Sequence, residues 1–261
     1  MRKMMLVGSL AALLLVSVRP VGAITFGQLD GALHPQVGAL VVEFGDPPQL
    51  VPFCSGTLIS PTVFLTAAHC FQAFDQFGID EFWVTLSNRV DASATLLTGT
   101  SHVAPGANSV GLNDPLDLAV VVLNAPVSAS VTPAQLPTLG LLDNTVLREA
   151  TFTPVGYGAV RDTKQGGFKS LLDNFDRRYA TQSFHALQGK AWLLLNMNPS
   201  TGSGGTCYGD SGGPHFLGGT SSNLIVSITV TGDAVCKATD KTYRLDTAAA
   251  REFLDDYVAV P

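Results

Sequence analysis

The chain has 261 residues, 46 % of them hydrophobic and 14 % charged, with a formal net charge of −6. That is enough apolar material for a packed core in one large domain or two small ones. The acidic balance argues against nucleic acid as a partner, because phosphate binding needs a basic surface.

The first 23 residues differ from the rest. Arg2 and Lys3 precede an apolar run from Met4 to Val18, followed by Arg19-Pro20-Val21-Gly22-Ala23. The run is shorter than the ~20 residues that cross a bilayer. A basic start, a short apolar middle and small residues at Val21 and Ala23 read as a secretory signal peptide cut after Ala23. The alternative is an N-terminal membrane anchor. No later stretch of sequence is long and apolar enough to span. The expectation is an exported protein, extracellular or periplasmic, without stable membrane association once the signal is removed.

From residue 24 onward, short β-rich runs alternate with Gly, Pro, Asn and Asp. They are QVGALVVEF (36–44), FWVTLSN (82–88), DLAVVVL (117–123), ATFTPVGYGAV (150–160), WLLLNMN (192–198) and NLIVSITV (223–230). Many short strands with frequent turn signals predict an all-β sandwich or barrel, and no strand–helix alternation supports an α/β fold. Residues 124–140 carry Pro126, Pro133 and Pro137 and read as a linker between two β halves. The domain reading is therefore a signal at 1–23, one β unit at 24–130 and a second at 131–261. Residues 161–178 hold eight charges with Gly166 and Gly167 and read as an exposed loop. The stretch 247–260 places Phe253, Leu254, Tyr257 and Val258 at helical spacing, with Asp246 or Thr247 as N-cap, and predicts a terminal helix.

Cysteines stand at 54, 70, 207 and 236. An even number in an exported chain, with no Cys-x-x-Cys spacing, reads as two disulfides rather than a zinc site, and three connectivities are open.

The densest chemistry lies in SGGTCYGDSGGPHF, residues 203–216, five of whose fourteen residues are glycine. Fixing glycine costs conformational entropy, so the run needs a reason. Gly209-Asp210-Ser211-Gly212-Gly213 matches the G-x-S-x-G nucleophile elbow. That elbow runs into a helix and is followed by an acid and a histidine. Gly212-Gly213-Pro214 is a poor helix interior, and the only later histidine is His215, so the elbow reading fails. The other reading needs a histidine and an acid upstream. CSGTLISPTVFLTAAHC (54–70) ends in His69-Cys70, and GLNDPLDLAVVVL (111–123) sets an acid at the mouth of an apolar strand.

TAAHC, DLAV and GDSGGP, in that order, resemble the chymotrypsin-like (trypsin-like) serine peptidase family, and especially its bacterial secreted members. Steps of 48 residues from 69 to 117 and 94 from 117 to 211 are similar to the family's intervals, and the match covers residues 24–258. The resemblance implies two six-stranded antiparallel β-barrels with a C-terminal helix. It implies a serine endopeptidase in which Ser211 is the nucleophile, His69 the general base and then acid, and Asp117 the carboxylate behind the imidazole. Asp114 competes with Asp117, but it precedes Pro115 in a turn. The N–H groups of Gly209 and Ser211 would form the oxyanion hole. Cys54–Cys70 and Cys207–Cys236 are the favoured disulfides, bracing the His69 loop and the walls beside Ser211. His34, His102, His185 and His215 read as structural or surface residues.

Asp210 resembles the aspartate that receives a newly made N-terminal amine. A cut after Ala23 exposes Ile24-Thr25-Phe26-Gly27, similar to the family's Ile-Val-Gly-Gly start, although no Lys or Arg precedes it. Gly205 stands where trypsin-type members hold an acid, so cleavage after Arg or Lys is not expected. Ser227-Ile228-Thr229 resembles the pocket-lining segment, with Thr229 narrowing the entrance and Lys241 near the floor. The resemblance implies a monomer acting on protein or peptide substrates, with no metal and no organic cofactor. The competing readings are a catalytically weak binding or adhesion protein on the same scaffold, and an esterase.

Overall fold

The computed structural model describes residues 24–107, 115–161, 171–172 and 174–261. The signal reading of 1–23 and the competing Asp114 lie outside the described residues. The chain opens with β1 (Gln28–Leu29). It continues through β2 (Val37–Phe44), β3 (Gln49–Ser60), β4 (Val63–Thr66), helix α1 (Ala68–Phe77), β5 (Trp83–Thr85), β6 (Gly99–Val103) and β7 (Ala119–Leu123). The second half holds β8 (Thr151–Gly156), β9 (Val160–Arg161), β10 (Leu171–Leu172), β11 (Arg178–Tyr179), β12 (Gln182–Gln188) and β13 (Trp192–Asn196). Then come β14 (Pro214–Leu217), β15 (Ile225–Gly232), β16 (Thr239–Arg244) and helix α2 (Ala248–Asp255).

Two large antiparallel sheets and a two-stranded β9–β10 pair result among the described residues, so the all-β expectation with a terminal helix holds. In the second, β8, β12, β13, β16, β15 and β14 form a ring that β14 closes by pairing back onto β8. The first is a six-stranded sheet in the order β5-β2-β3-β4-β7-β6. Its edges meet only through the Val84–Leu97 bridge, at 2.9 and 2.8 Å among the described residues. Two closed barrels were expected; the first is a half-barrel, because β5 is three residues long and offers too few backbone groups to complete a ladder.

The run Val37–Val42 is buried throughout because both faces of β2 are covered. Leu40 and Val42 point into the first core with Leu58, Phe64 and Val120. Ala39 and Val41 pack against Val90 and Tyr157, joining the two halves. The expected linker region carries no strand; besides the parallel Gln135–Leu224 bridge, its Val127 and Ala134 N–H groups donate to the Pro61 and Leu58 carbonyls of the first half.

Three local expectations change. Helix α1, which begins inside the TAAH motif, was not expected; it buries Phe71 and Phe74 and ends at Gly78, whose φ of 64° suits only a residue without Cβ strain. Helix α2 stops at Asp255, short of residue 260, with the Thr247 hydroxyl accepting the Ala250 N–H at its start. The charged stretch 161–178 is not simply an exposed loop. Arg161 and Arg177 are buried. Arg177 pairs with Asp30 at 2.8 Å and donates to the carbonyls of Val37, Leu86 and Gly31. Burial pushes the Asp30 carboxyl up, but the His34 hydrogen bond and the Arg177 charge outweigh it and leave the carboxyl below its ordinary range. This clamp ties the N-terminal segment to the second half.

Candidate active site

His69 occupies the first turn of α1, where Cys70 is cross-linked to Cys54 of β3. Asp117 lies just before β7 and is buried. Its Oδ1 accepts the His69 backbone N–H at 2.9 Å, and its Oδ2 lies 2.6 Å from His69 Nδ1. A carboxylate only accepts, so Nδ1 carries the proton and Nε2 is left as the acceptor. The two bonds fix both the position and the rotation of the ring.

Ser211 sits in the loop between Cys207 and β14. His69 and Ser211 both line a cavity of about 510 Å³. One wall is Phe53, Cys54 and Ala73; the other is Thr206 to Gly209 with Thr229 to Ala234 and Cys236. The cavity thus lies between the two halves, with the histidine from the first and the serine from the second. Cys207–Cys236 joins the two strips of its second wall.

The glycines of this loop shape backbone. Gly209 has φ 96° and Gly212 φ 76°. A Cβ on Gly212 would lie 2.2 Å from Thr66 Oγ1 and 2.6 Å from Ala67 N, so the loop closes onto the strand leading to His69 only because that atom is missing. The Tyr208 carbonyl accepts the Ala159 N–H at 2.6 Å, and a trans peptide then turns the Gly209 N–H the other way. The Asp210 carbonyl accepts the Gly213 N–H at 2.8 Å, which orients the Ser211 N–H in the same manner.

Asp210 is wholly buried. Its Oδ1 accepts the Gly158 N–H and its Oδ2 the Cys207 N–H, each at 2.8 Å. Burial pushes its pKa up to about 7 despite these bonds, with the charge of Asp240 adding to the rise. Ile24 is buried too, and the segment after it docks on the second half: the Thr25 hydroxyl donates to the Gly205 carbonyl, and the Gly205 N–H donates to the Thr25 carbonyl, both at 3.0 Å.

The expected pocket residues fare unevenly. Thr229 lines the cavity; Gly205, Ser227 and Lys241 do not. Ser227 faces the core, its hydroxyl accepting from Thr242 at 2.8 Å. β15 meets the cavity over Thr229–Gly232, where its pairing with β16 shifts register between Thr229 and Thr231. Lys241 holds its Nζ over the Trp192 ring, 4.2 Å from the centroid. Gly205 is dictated by packing: a Cβ there would lie 2.2 Å from Met197 Cβ and 2.8 Å from Gln182 Nε2. The acid that sequence reasoning missed is Asp240, one residue before Lys241. It is buried behind Gln182 (2.9 Å) and His215 (3.0 Å) and does not reach the cavity lining.

The other histidines lie outside the cavity lining. His34 pairs with Asp30 at 2.5 Å and stacks on Phe216, while His185 meets Asn196 and His102 meets Tyr257. Among the described residues one group has metal-ligand composition, Cys54, His69 and Cys70. Its sulfurs are bonded to each other and offer no thiolate.

A six-stranded barrel facing a half-barrel, with an imidazole–carboxylate pair and a serine in the cleft between them, defines a class of hydrolase. The sequence matches the trypsin family over residues 34–251. It is also similar to brachyurin of Leptuca pugilator, 34 % identical over 208 residues that cover 74 % of this chain and 85 % of that protein. The chain belongs to the trypsin family and is a serine endopeptidase. That relative is an animal protein, so the likeness to bacterial members in particular is not supported.

Proposed function

We propose that the chain is an exported endopeptidase that cleaves proteins through Ser211, His69 and Asp117. The observation that carries this reading is the 2.6 Å His69–Asp117 contact opening onto the same cavity as Ser211. Ser211 Oγ attacks the carbonyl carbon of the scissile bond while its proton passes to His69 Nε2. The negative charge that develops on the carbonyl oxygen is met by the N–H groups of Gly209 and Ser211. His69 then gives its proton to the departing amine, and water hydrolyses the acyl-enzyme by the same steps in reverse. Asp117 holds the tautomer and stabilises the charged ring. Asp117→Asn is expected to lower kcat by about 10⁴-fold with little change in KM, checked by steady-state kinetics on a peptide amide. A protein-substrate assay separates this reading from an esterase, and a cleft that neither labels nor cleaves would favour a binding protein.

The arming step is removal of residues 1–23. The α-amine of Ile24 then enters the second half and pairs with Asp210. Supporting this, Ile24 is already buried, and its φ of 42° is a strained value for a β-branched residue that carries a preceding peptide. N-terminal sequencing of active protein is expected to begin at Ile24.

The pocket favours uncharged side chains. Its lining from Thr206 to Gly209 and Thr229 to Gly232 holds no charge; the neighbouring Asp233 carboxylate is taken up by the N–H groups of Lys237, Ala238 and Thr239, and Asp240 is engaged behind the wall. A peptide-library cleavage profile is expected to lack Arg and Lys before the cut, and strong cutting after Arg would overturn this assignment.

A further inference from the structure

Ser55 lies in β3, one residue after Cys54, and does not line the cavity. It is wholly buried, and every polar group it has is engaged. Its hydroxyl accepts the Tyr157 N–H at 3.0 Å and donates to the Gly209 carbonyl at 2.9 Å. Its N–H donates to the Ser211 carbonyl at 2.9 Å, and its carbonyl accepts from the Thr66 hydroxyl at 2.8 Å. One residue of the first sheet therefore holds the chain on both sides of Asp210, while its neighbour Cys54 is cross-linked beside His69.

Gly209 is where such a hold has most effect. At φ 96° it sits in a region that glycine alone occupies without strain, and glycine is also the residue with the least torsional restraint of its own. The peptide before it is fixed by Ala159 on the Tyr208 carbonyl. The peptide after it is fixed at both ends, by Ser55 on the Gly209 carbonyl and by the Cys207 carbonyl on the Asp210 N–H, at 3.0 Å. Removing the hydroxyl leaves the Gly209 carbonyl without its side-chain donor and the Gly209–Asp210 peptide held at its Asp210 end only. The two peptides meet at the Gly209 Cα, so play in the second is passed to the first, which carries the Gly209 N–H and is then held by Ala159 alone.

We propose that Ser55 is a positioning residue, whose hydroxyl reaches across from the first sheet to hold the Gly209 carbonyl and so keeps the Gly209 N–H aimed at the oxyanion. The inference rests on the peptidase reading above. Ser55 touches neither substrate nor the reacting atoms; it acts through Gly209.

The test is Ser55→Ala and Ser55→Gly in the mature chain, with kcat and KM on a peptide amide, affinity for a peptidyl aldehyde that forms a hemiacetal with Ser211, and Tm. Outright loss of one oxyanion donor costs about 10²–10³-fold, so a donor that is present but misaimed is expected to cost about tenfold or more in kcat. KM stays within about twofold, because ground-state binding does not use the oxyanion position. Aldehyde affinity falls in proportion to kcat. A merely structural role lowers Tm without that proportionality. Unchanged kcat, a rise in KM alone, or an unaffected aldehyde overturns the proposal, and so does failure of both variants to fold. A wild-type chain that neither cleaves peptides nor is labelled by a fluorophosphonate overturns the peptidase reading itself, and this inference with it.

Discussion

Ser211→Ala is expected to lower kcat by about 10⁶-fold and to abolish labelling by a fluorophosphonate, while leaving Tm unchanged. The size follows from how the groups act together. His69 is held by two bonds to Asp117, so its Nε2 has one task, and without the hydroxyl that task has no object. The remaining acceleration comes from substrate binding and from the two aimed N–H groups. Stability is spared because Ser211 is tied into the fold through its backbone: the carbonyl accepts from Ser55, and the flanking Gly212 N–H donates to the Thr229 carbonyl at 2.8 Å. A mass shift on the wild type after labelling, absent in the variant, checks it directly. Labelling that survives the substitution would place the nucleophile elsewhere.

The second large effect concerns Asp210 and pH. In a form that keeps one extra residue before Ile24, no α-amine is available, and the buried carboxyl has a pKa of about 7 against an ordinary value of 3.8. Between those values the unfolded chain has lost a proton that the folded chain retains. Stability therefore falls as pH rises from about 4 to about 7, by on the order of 4 kcal/mol, and is level above that. The mature form, with its Ile24 amine against Asp210, does not show this fall. Its pairing raises the amine above the free value of about 7.7–8.0, so its stabilisation is complete below that value and disappears as pH climbs through the raised one. Urea titrations at pH 5 and pH 8 are expected to show a fall in the extended form and none in the mature form. Asp210→Asn removes the acid-side trend from the extended form and lowers kcat of the mature form by at least about a hundredfold, since the oxyanion loop loses its anchor. Equal pH trends in the two forms would refute the arming step.

The β architecture was legible because the runs at 36–44, 192–198 and 223–230 are continuous apolar stretches bounded by turn residues, and each became a strand. The disulfide pairing also appears as expected, and the residues of the TAAHC and DLAV motifs, His69 and Asp117, lie 2.6 Å apart. Helix α1 was hidden. It has no side-chain cap at Ala67, and its Phe71, Phe74 and Phe77 read equally well as an aromatic-rich loop. Ser227 was read as part of the pocket wall, but strand composition does not say which face a residue takes, and its hydroxyl meets Thr242 while Thr229 lines the cavity. Arg161 and Arg177 were read as solvated because charge usually is; their carbonyl and carboxylate partners lie far away in sequence, as with Arg177 and Asp30, 147 residues apart. The role inferred for Ser55 was equally invisible, since its partners come from residues 66, 157, 209 and 211.

The first strand of the chain belongs to the last part of the fold. β1 pairs with β11, and Thr25 meets Gly205 across 180 residues of sequence. A ribosome or translocation pore that has released only the N-terminal half has supplied no berth for Ile24. Under the proposed arming step, the peptidase is thus unable to become competent while its own chain is still being delivered, when unfolded segments of the same molecule would be its nearest targets.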